Sequence, residues 1–231
     1  MTAYDKNPAG AASEAPAEFV PGEDDRERVS RETLDRVFGR GLKYADEYAH
    51  MLAVDGTQRG LIGPRETPRL WERHLLNCAV VAELVPDGAD VLDVGSGAGL
   101  PGIPLAIARP DLLVTLVEPM ERRTAFLSEV VTRLGIDNIE VLRARAEDVN
   151  PRGKADVVTC RAVAPIGKLA GWCLPLLRPG GQLLAIKGSS AETELAKHRK
   201  AVLRQGGDRP HVLRCGEFLD TPSTVIRVDR R

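Results

Sequence analysis

The sequence predicts an α/β fold: a mostly parallel seven-stranded sheet covered on both faces by helices, ending in an antiparallel hairpin and preceded by a helical extension. Three observations carry this. From Asp90 onward, short β-branched and leucine runs alternate with amphipathic helical stretches. The first run opens into a glycine-rich turn and then a helix. The last two runs are joined by too few residues for the crossover that parallel pairing needs. With 231 residues, 43% hydrophobic and 4% aromatic, the chain can bury one substantial core.

Residues 1 to about 25 carry Asp5, Glu14, Glu18, Glu23, Asp24 and Asp25 against one lysine, are rich in Ala, Pro and Gly, and read as a disordered acidic tail. Residues 26–88 form the helical extension. Val29, Leu34, Val37, Leu42, Tyr44, Tyr48 and Leu52 recur at helical spacing, and Gly39 and Gly41 break them into two short helices or one broken one. Residues 55–65, with three glycines and one proline, read as a loop, and helix returns over 68–85 with Trp71, Leu75, Cys78, Val81 and Leu84 on one side. The remainder, 89–231, is the sheet domain. Its predicted strands are 91–95, 112–118, 139–144, 156–162, 181–188, 211–215 and 223–230, the last two a hairpin.

Lys and Arg number 32 against 33 Asp and Glu, so the net charge of -1 excludes a uniformly basic protein that coats nucleic acid, and leaves room only for a local basic patch. No apolar run approaches the ~18 residues of a membrane span, and the N-terminus lacks the basic start and apolar core of a secretion signal, which leads to the expectation of a cytoplasmic protein. Cys78, Cys160, Cys173 and Cys215 form no C-x-x-C pair, which argues against a metal site and for reduced thiols.

The stretch Val91-Leu92-Asp93-Val94-Gly95-Ser96-Gly97-Ala98-Gly99-Leu100-Pro101-Gly102 runs from strand through alternating glycines into a helix, and should turn backbone N–H groups and a helix N-terminus toward a nucleotide-like ligand. Gly97-x-Gly99-x-x-Gly102 formally satisfies the dinucleotide fingerprint, so an NAD(P)-dependent oxidoreductase is one reading. The register with Asp93 just before the glycines resembles the first motif of class I methyltransferases, where a carboxylate suits the cationic S-adenosylmethionine. Glu118, at the end of the second strand, is placed to hold ribose hydroxyls in either case. Ala146-Glu147, with Asp148, follows the third strand, where such folds contact adenine.

The fourth strand ends in Thr159-Cys160-Arg161-Ala162-Val163-Ala164-Pro165, without the Asn/Asp-Pro-Pro-aromatic motif of exocyclic-amine methyltransferases. Cys160 reads as a small buried hydrophobe rather than a nucleophile, since no second Pro-Cys occurs. Arg161 is placed to hold the cofactor carboxylate or a nucleic-acid phosphate. His74 reads as a helix-face residue hydrogen-bonded beneath the glycine loop.

Trp71-Glu72-Arg73-His74-Leu75-Leu76-Asn77, the segment from Asp93 to Ala106, Arg161-Ala162 and Lys187-Gly188 together resemble the bacterial small-subunit rRNA methyltransferase G family, RsmG or GidB, over residues 67–190. The resemblance implies a class I methyltransferase fold with a helical extension, and methylation of guanine N7 in a 16S rRNA loop near the decoding centre. It places cofactor contacts on Gly95, Leu100, Ala146, Glu147 and Arg161, beside Asp93, Gly97, Gly99 and Glu118 from the motif reading. The chain departs from the family at Gly56 to Gly63, where an Asn-Leu-Thr is usual, and at Asn77, which replaces an aspartate. Guanine N7 already presents a lone pair, so no general base is expected, and Arg161 and Lys187 stand as positioning residues. Arg122, Arg123, Arg145, Lys168 and Lys187 are the expected RNA contacts, and 16S rRNA or the 30S particle the expected partner of a monomer without metal. A non-catalytic RNA-binding assembly protein is the remaining alternative.

Overall fold

The computed structural model describes residues 23–150 and 152–231. The acidic segment 1–22, read above as a disordered tail, lies outside them. The expected end of that tail is corrected, because helix α1 (Glu23–Arg28) begins inside it and Asp25 is buried. Asp25 Oδ2 accepts hydrogen bonds from the backbone N–H of Trp71 at 2.6 Å and of Glu72 at 3.4 Å. Amides at the start of a helical turn have no partner within it, so this carboxylate acts as a cap supplied from a remote segment.

Helix α2 (Arg31–Phe38) starts at Ser30, whose Oγ accepts from the Thr33 N–H. One 3₁₀ turn, Gly39–Gly41, separates it from α3 (Leu42–Met51). Gly41 admits no side chain, since a Cβ there would stand 2.6 Å from the Ile107 carbonyl oxygen. Beyond α3 the helix continues through a π-helical turn, Leu52–Gly56, to residue 58, so the predicted 55–65 loop is shorter than expected. Burial of Leu52, Ala53 and Gly56 against the core outweighs the poor helix propensity of glycine. A second helical stretch fills 67–84: a 3₁₀ turn (Thr67–Arg69), π-helical turns (Leu70–Leu76), α4 (Asn77–Ala79) and 3₁₀ turns (Val80–Leu84). Trp71, Leu75, Cys78 and Val81 are buried on one side, as their spacing predicts.

The sheet follows as β1 (Asp90–Val94), α5 (Gly102–Ala108), β2 (Leu113–Val117), α6 (Glu121–Leu134), β3 (Ile139–Leu142), β4 (Ala155–Arg161), α7 (Ile166–Cys173), β5 (Leu177–Lys187), α8 (Ala191–Arg204), β6 (Gly207–Cys215) and β7 (Ser223–Arg230). Its order is β3-β2-β1-β4-β5-β7-β6. The pairs among β1 to β5 are parallel, and β7 is antiparallel to both β5 and β6. Strand order reverses between β1 and β4, and a crevice opens there beyond the carboxyl ends of the strands. Strands β5 and β6 begin earlier than expected, each with a register irregularity near Pro179 or Pro210 that interrupts the apolar pattern.

One face of the sheet packs on α5 and α6 and shares a continuous apolar cluster with the extension, including Leu34, Tyr48, Leu75, Ile103, Leu116 and Phe126. The other face packs on α7 and α8 through residues such as Val158, Ile166, Leu183 and Leu195. The extension is therefore seated on the sheet. Truncating the remote cap with Asp25→Ala should lower unfolding free energy by about 1–2 kcal/mol in urea denaturation with an unchanged m-value; a midpoint equal to wild type would mean that the cap contributes nothing.

Candidate active site

The glycine turn after β1 is held from below. Gly95 and Ser96 donate N–H bonds to the Val117 carbonyl at 2.8 and 3.3 Å, and the Tyr48 hydroxyl donates to the Ala98 carbonyl at 2.9 Å. Gly95 sits at φ +73°, where a side chain is strained, and a Cβ there would meet Val163 at 2.8 Å. Asp93 is placed differently from the expectation. Its carboxylate does not line the crevice; it is fully buried beneath the turn, and Oδ2 accepts the Gly102 N–H at 3.0 Å. A Cβ on Gly102 would stand 2.7 Å from that oxygen and 2.3 Å from Leu116 Cδ2, so only glycine fits. Burial pushes the Asp93 carboxyl up to about 7, and Oδ1 has no hydrogen-bond partner. Asp93 is thus a structural cap of α5 and not a charge facing a sulfonium. Gly99 also leaves the expected lining and packs against Ile103 and Tyr48.

Above the turn lies a cleft of about 520 Å³, within the range of small-molecule sites. Gly95, Gly97, Leu100, Glu118, Ala146, Glu147 and Arg161 all line it; Asp148 and the buried Cys160 do not. Glu118 is buried, with Oε2 accepting from the Gly97 N–H and Oε1 from the Met120 N–H, each at 3.0 Å. Arg123 approaches Oε2 at 3.5 Å, so a carboxylate with about four acceptor positions keeps capacity for ligand hydroxyls. Leu61, Ile62, Val163 and Trp172 add apolar wall. The first two come from the segment read as a loop, where composition hides any pocket function.

These residues fit a nucleoside cofactor with a diol and a flat base. They do not fit a dinucleotide, whose pyrophosphate would need the α5 N-terminus that Asp93 already fills.

Arg161 does not stand free at the crevice mouth. Its Nη2 donates to His74 Nδ1, and Nη1 lies 3.2 Å from Cys78 Sγ. His74 Nε2 donates in turn to Glu66 Oε2 at 2.8 Å. Burial, then the Arg161 charge, lowers the His74 pKa to about 4, so the ring is neutral at pH 7 with both nitrogens engaged. His74 therefore braces Arg161 across the cleft wall and makes no bond to the glycine loop. Asn77, at the position where the family carries aspartate, donates to the Thr221 and Glu72 carbonyls at 3.0 and 3.2 Å.

The expected RNA contacts divide. Arg122, Arg145 and Lys168 are exposed, while Arg123 is half-buried beside Glu118. Lys187 is corrected: its Nζ bonds the Ala164 carbonyl at 2.8 Å and Glu194 Oε1 at 2.9 Å, which satisfies its charge internally.

A family model described as GidB, rRNA small subunit methyltransferase G, matches residues 42–220. A protein of Thermobifida fusca named ribosomal RNA small subunit methyltransferase G is 57% identical over 201 residues, covering 87% of this chain and 85% of that protein. One of the same name from Rhodococcus jostii is 53% identical over 214 residues, covering 91% and 92%. Among solved structures, an S-adenosylmethionine-dependent methyltransferase of Aquifex aeolicus superposes with a TM-score of 0.57 at 20% identity, covering 75% of this chain and 98% of that one. M. jannaschii TYW2 in complex with AdoMet gives 0.53 at 18% identity, covering 68% and 74%. At these identities the superpositions establish the class I methyltransferase fold.

Two outcomes follow from the site geometry. Because the Asp93 pKa is raised above its unfolded value of 3.8, the stability this group contributes is complete below about pH 4 and is lost as pH rises through about 7. Asp93→Asn keeps an acceptor for Gly102 and removes the titration. Wild type should therefore lose on the order of 3 kcal/mol relative to the variant between pH 4.5 and 7.5 in urea denaturation, and parallel pH curves would refute the assignment. In Arg161→Ala, NMR titration should show the His74 pKa rising from about 4 toward its ordinary 6.5; an unmoved value would mean that burial alone sets it.

Proposed function

This chain belongs to the GidB family of rRNA small subunit methyltransferases G, and from that premise we propose that it transfers a methyl group from S-adenosylmethionine to N7 of one guanine in 16S rRNA. The observation that carries the reading is the family match over residues 42–220, which spans the glycine turn, the cleft walls and Arg161. The cofactor, when bound, supplies an electrophilic methyl group on a cationic sulfur.

Glu118 would accept hydrogen bonds from the ribose hydroxyls, held rigid by the Gly97 and Met120 amides. Gly95 and Gly97 would let backbone approach the cofactor, and Leu100, Ala146 and Glu147 would face its base. Arg161 spends two of five N–H donors on His74 and Cys78, which leaves donors for the cofactor carboxylate. Guanine N7 carries its lone pair in the ring plane, so no proton leaves before attack and the protein's task is alignment. The neutral, doubly engaged His74 suits such a reaction because it has no free nitrogen to act as a base.

Among the described residues no helix is long and apolar enough to cross a membrane. We place the enzyme in the cytoplasm, as a monomer acting on 16S rRNA or the 30S particle. Mass spectrometry of 16S rRNA fragments after incubation with protein and S-adenosylmethionine should show one added methyl on guanine, depurinating as 7-methylguanine does. Turnover at saturating RNA should lack a tenfold rise per unit between pH 6 and 8, where a histidine base of ordinary pKa titrates. Stabilisation by NADH with no methylated fragment would overturn the reading.

A further inference from the structure

A second groove of about 510 Å³ lies on the same edge of the sheet, between the helical stretch 67–84 and the ends of β5, β6 and β7. Arg69, Arg73, Arg161, Lys187 and Arg214 line it against one acid, Glu72. That balance stands out in a chain of net charge -1. Two of the cations are neutralised at home, Lys187 by Glu194 and, at a longer 3.5 Å, Arg73 by Glu66. Glu72 accepts from the neutral Thr221 hydroxyl at 2.8 Å and so sets one negative charge against the three remaining cations. Arg69 and Arg214 are exposed and make no ion pair among the described residues, so with Arg161 they leave the groove with an excess of positive charge over Glu72.

The groove is continuous with the methyl-transfer cleft. Arg161 and Ala162 line both cavities. Ala162 holds φ +54°, the left-handed region that a residue with a Cβ seldom adopts, and it does so at the boundary between them. A base in the cleft must continue into a phosphate backbone outside it, and this is the cationic trough that adjoins the cleft.

We infer that this groove seats backbone phosphates of the rRNA strand flanking the target guanine, with Arg69 and Arg214 as the phosphate contacts. The inference deepens the proposed reaction and rests on it for the identity of the polyanion. Phosphate contacts fix register without reading sequence, so the groove positions the strand and the cleft selects the base. It also moves the main RNA surface away from Arg122 and Lys168, which line neither cavity.

The test uses full-length protein and a 16S rRNA transcript, with Arg69→Ala/Arg214→Ala and, as a control, Arg204→Ala at the exposed end of α8. Binding is measured by filter retention across a potassium chloride series, and S-adenosylhomocysteine binding by calorimetry. The double variant should bind RNA roughly tenfold more weakly at moderate salt, and its log-log salt slope should fall by about 0.7–1 per arginine. Its S-adenosylhomocysteine affinity should equal wild type, and its methylation should show a raised KM with kcat retained. The control should match wild type throughout. Wild-type RNA affinity and slope in the double variant, with methylation intact, would overturn the groove and leave the proposed reaction standing. A groove-dependent salt slope in a protein that methylates no guanine would do the reverse.

Discussion

The bond from the Gly102 N–H to the buried Asp93 carboxylate is the constraint on which the cleft depends. It draws the first turn of α5 down onto β1, which requires a residue without a side chain at 102 and forces the intervening chain upward as a tight turn. Gly97 is then presented to Glu118, and the two strand ends are tied together by a loop amide and a carboxylate. The same bond decides the ligand class. An internal carboxyl oxygen already accepts the first N–H of the helix, so an external phosphate has little to gain there.

The alternation of strand and helix, the C-terminal hairpin and the glycine turn were legible because each is written in local order: period, turn residues, spacing. What escaped was pairing over distance. Asp93 was legible as a functional acid but not in its direction, because a strand position alone does not say whether a side chain faces ligand or lies beneath the following turn. Arg161 and His74 are separated by 87 positions, and nothing in either neighbourhood announces the other. Lys187 read as an open cation since its partner Glu194 lies in the next helix, beyond the motif that drew attention. Asp25 read as tail because composition averages over a segment, and one buried carboxylate does not change an average. Leu61 and Ile62 are too short an apolar run to signal a wall.

Arg161 joins these layers. It leaves the end of β4, crosses to the helical extension and forms part of the boundary between two cavities. Its neighbour Ala162 carries a backbone conformation that only a well-determined surrounding sustains. The extension is therefore part of the site, supplying His74, Leu61 and Ile62 to the cleft and Arg69 to the groove beside it.

The sheet order has a consequence for how the molecule is made. Strand β7, which follows β6 in the chain, lies between β5 and β6, and among the described residues it is the only strand that pairs with β6. Until it arrives, the nascent chain presents the long β5 as an open edge, and β6 has nothing to join. The walls of the cleft, which end at Trp172, are complete in sequence well before that moment. Assembly from the amino terminus thus completes the cleft walls before this edge of the sheet is closed, so the interval in which β5 is open to edge-to-edge association follows the making of the site.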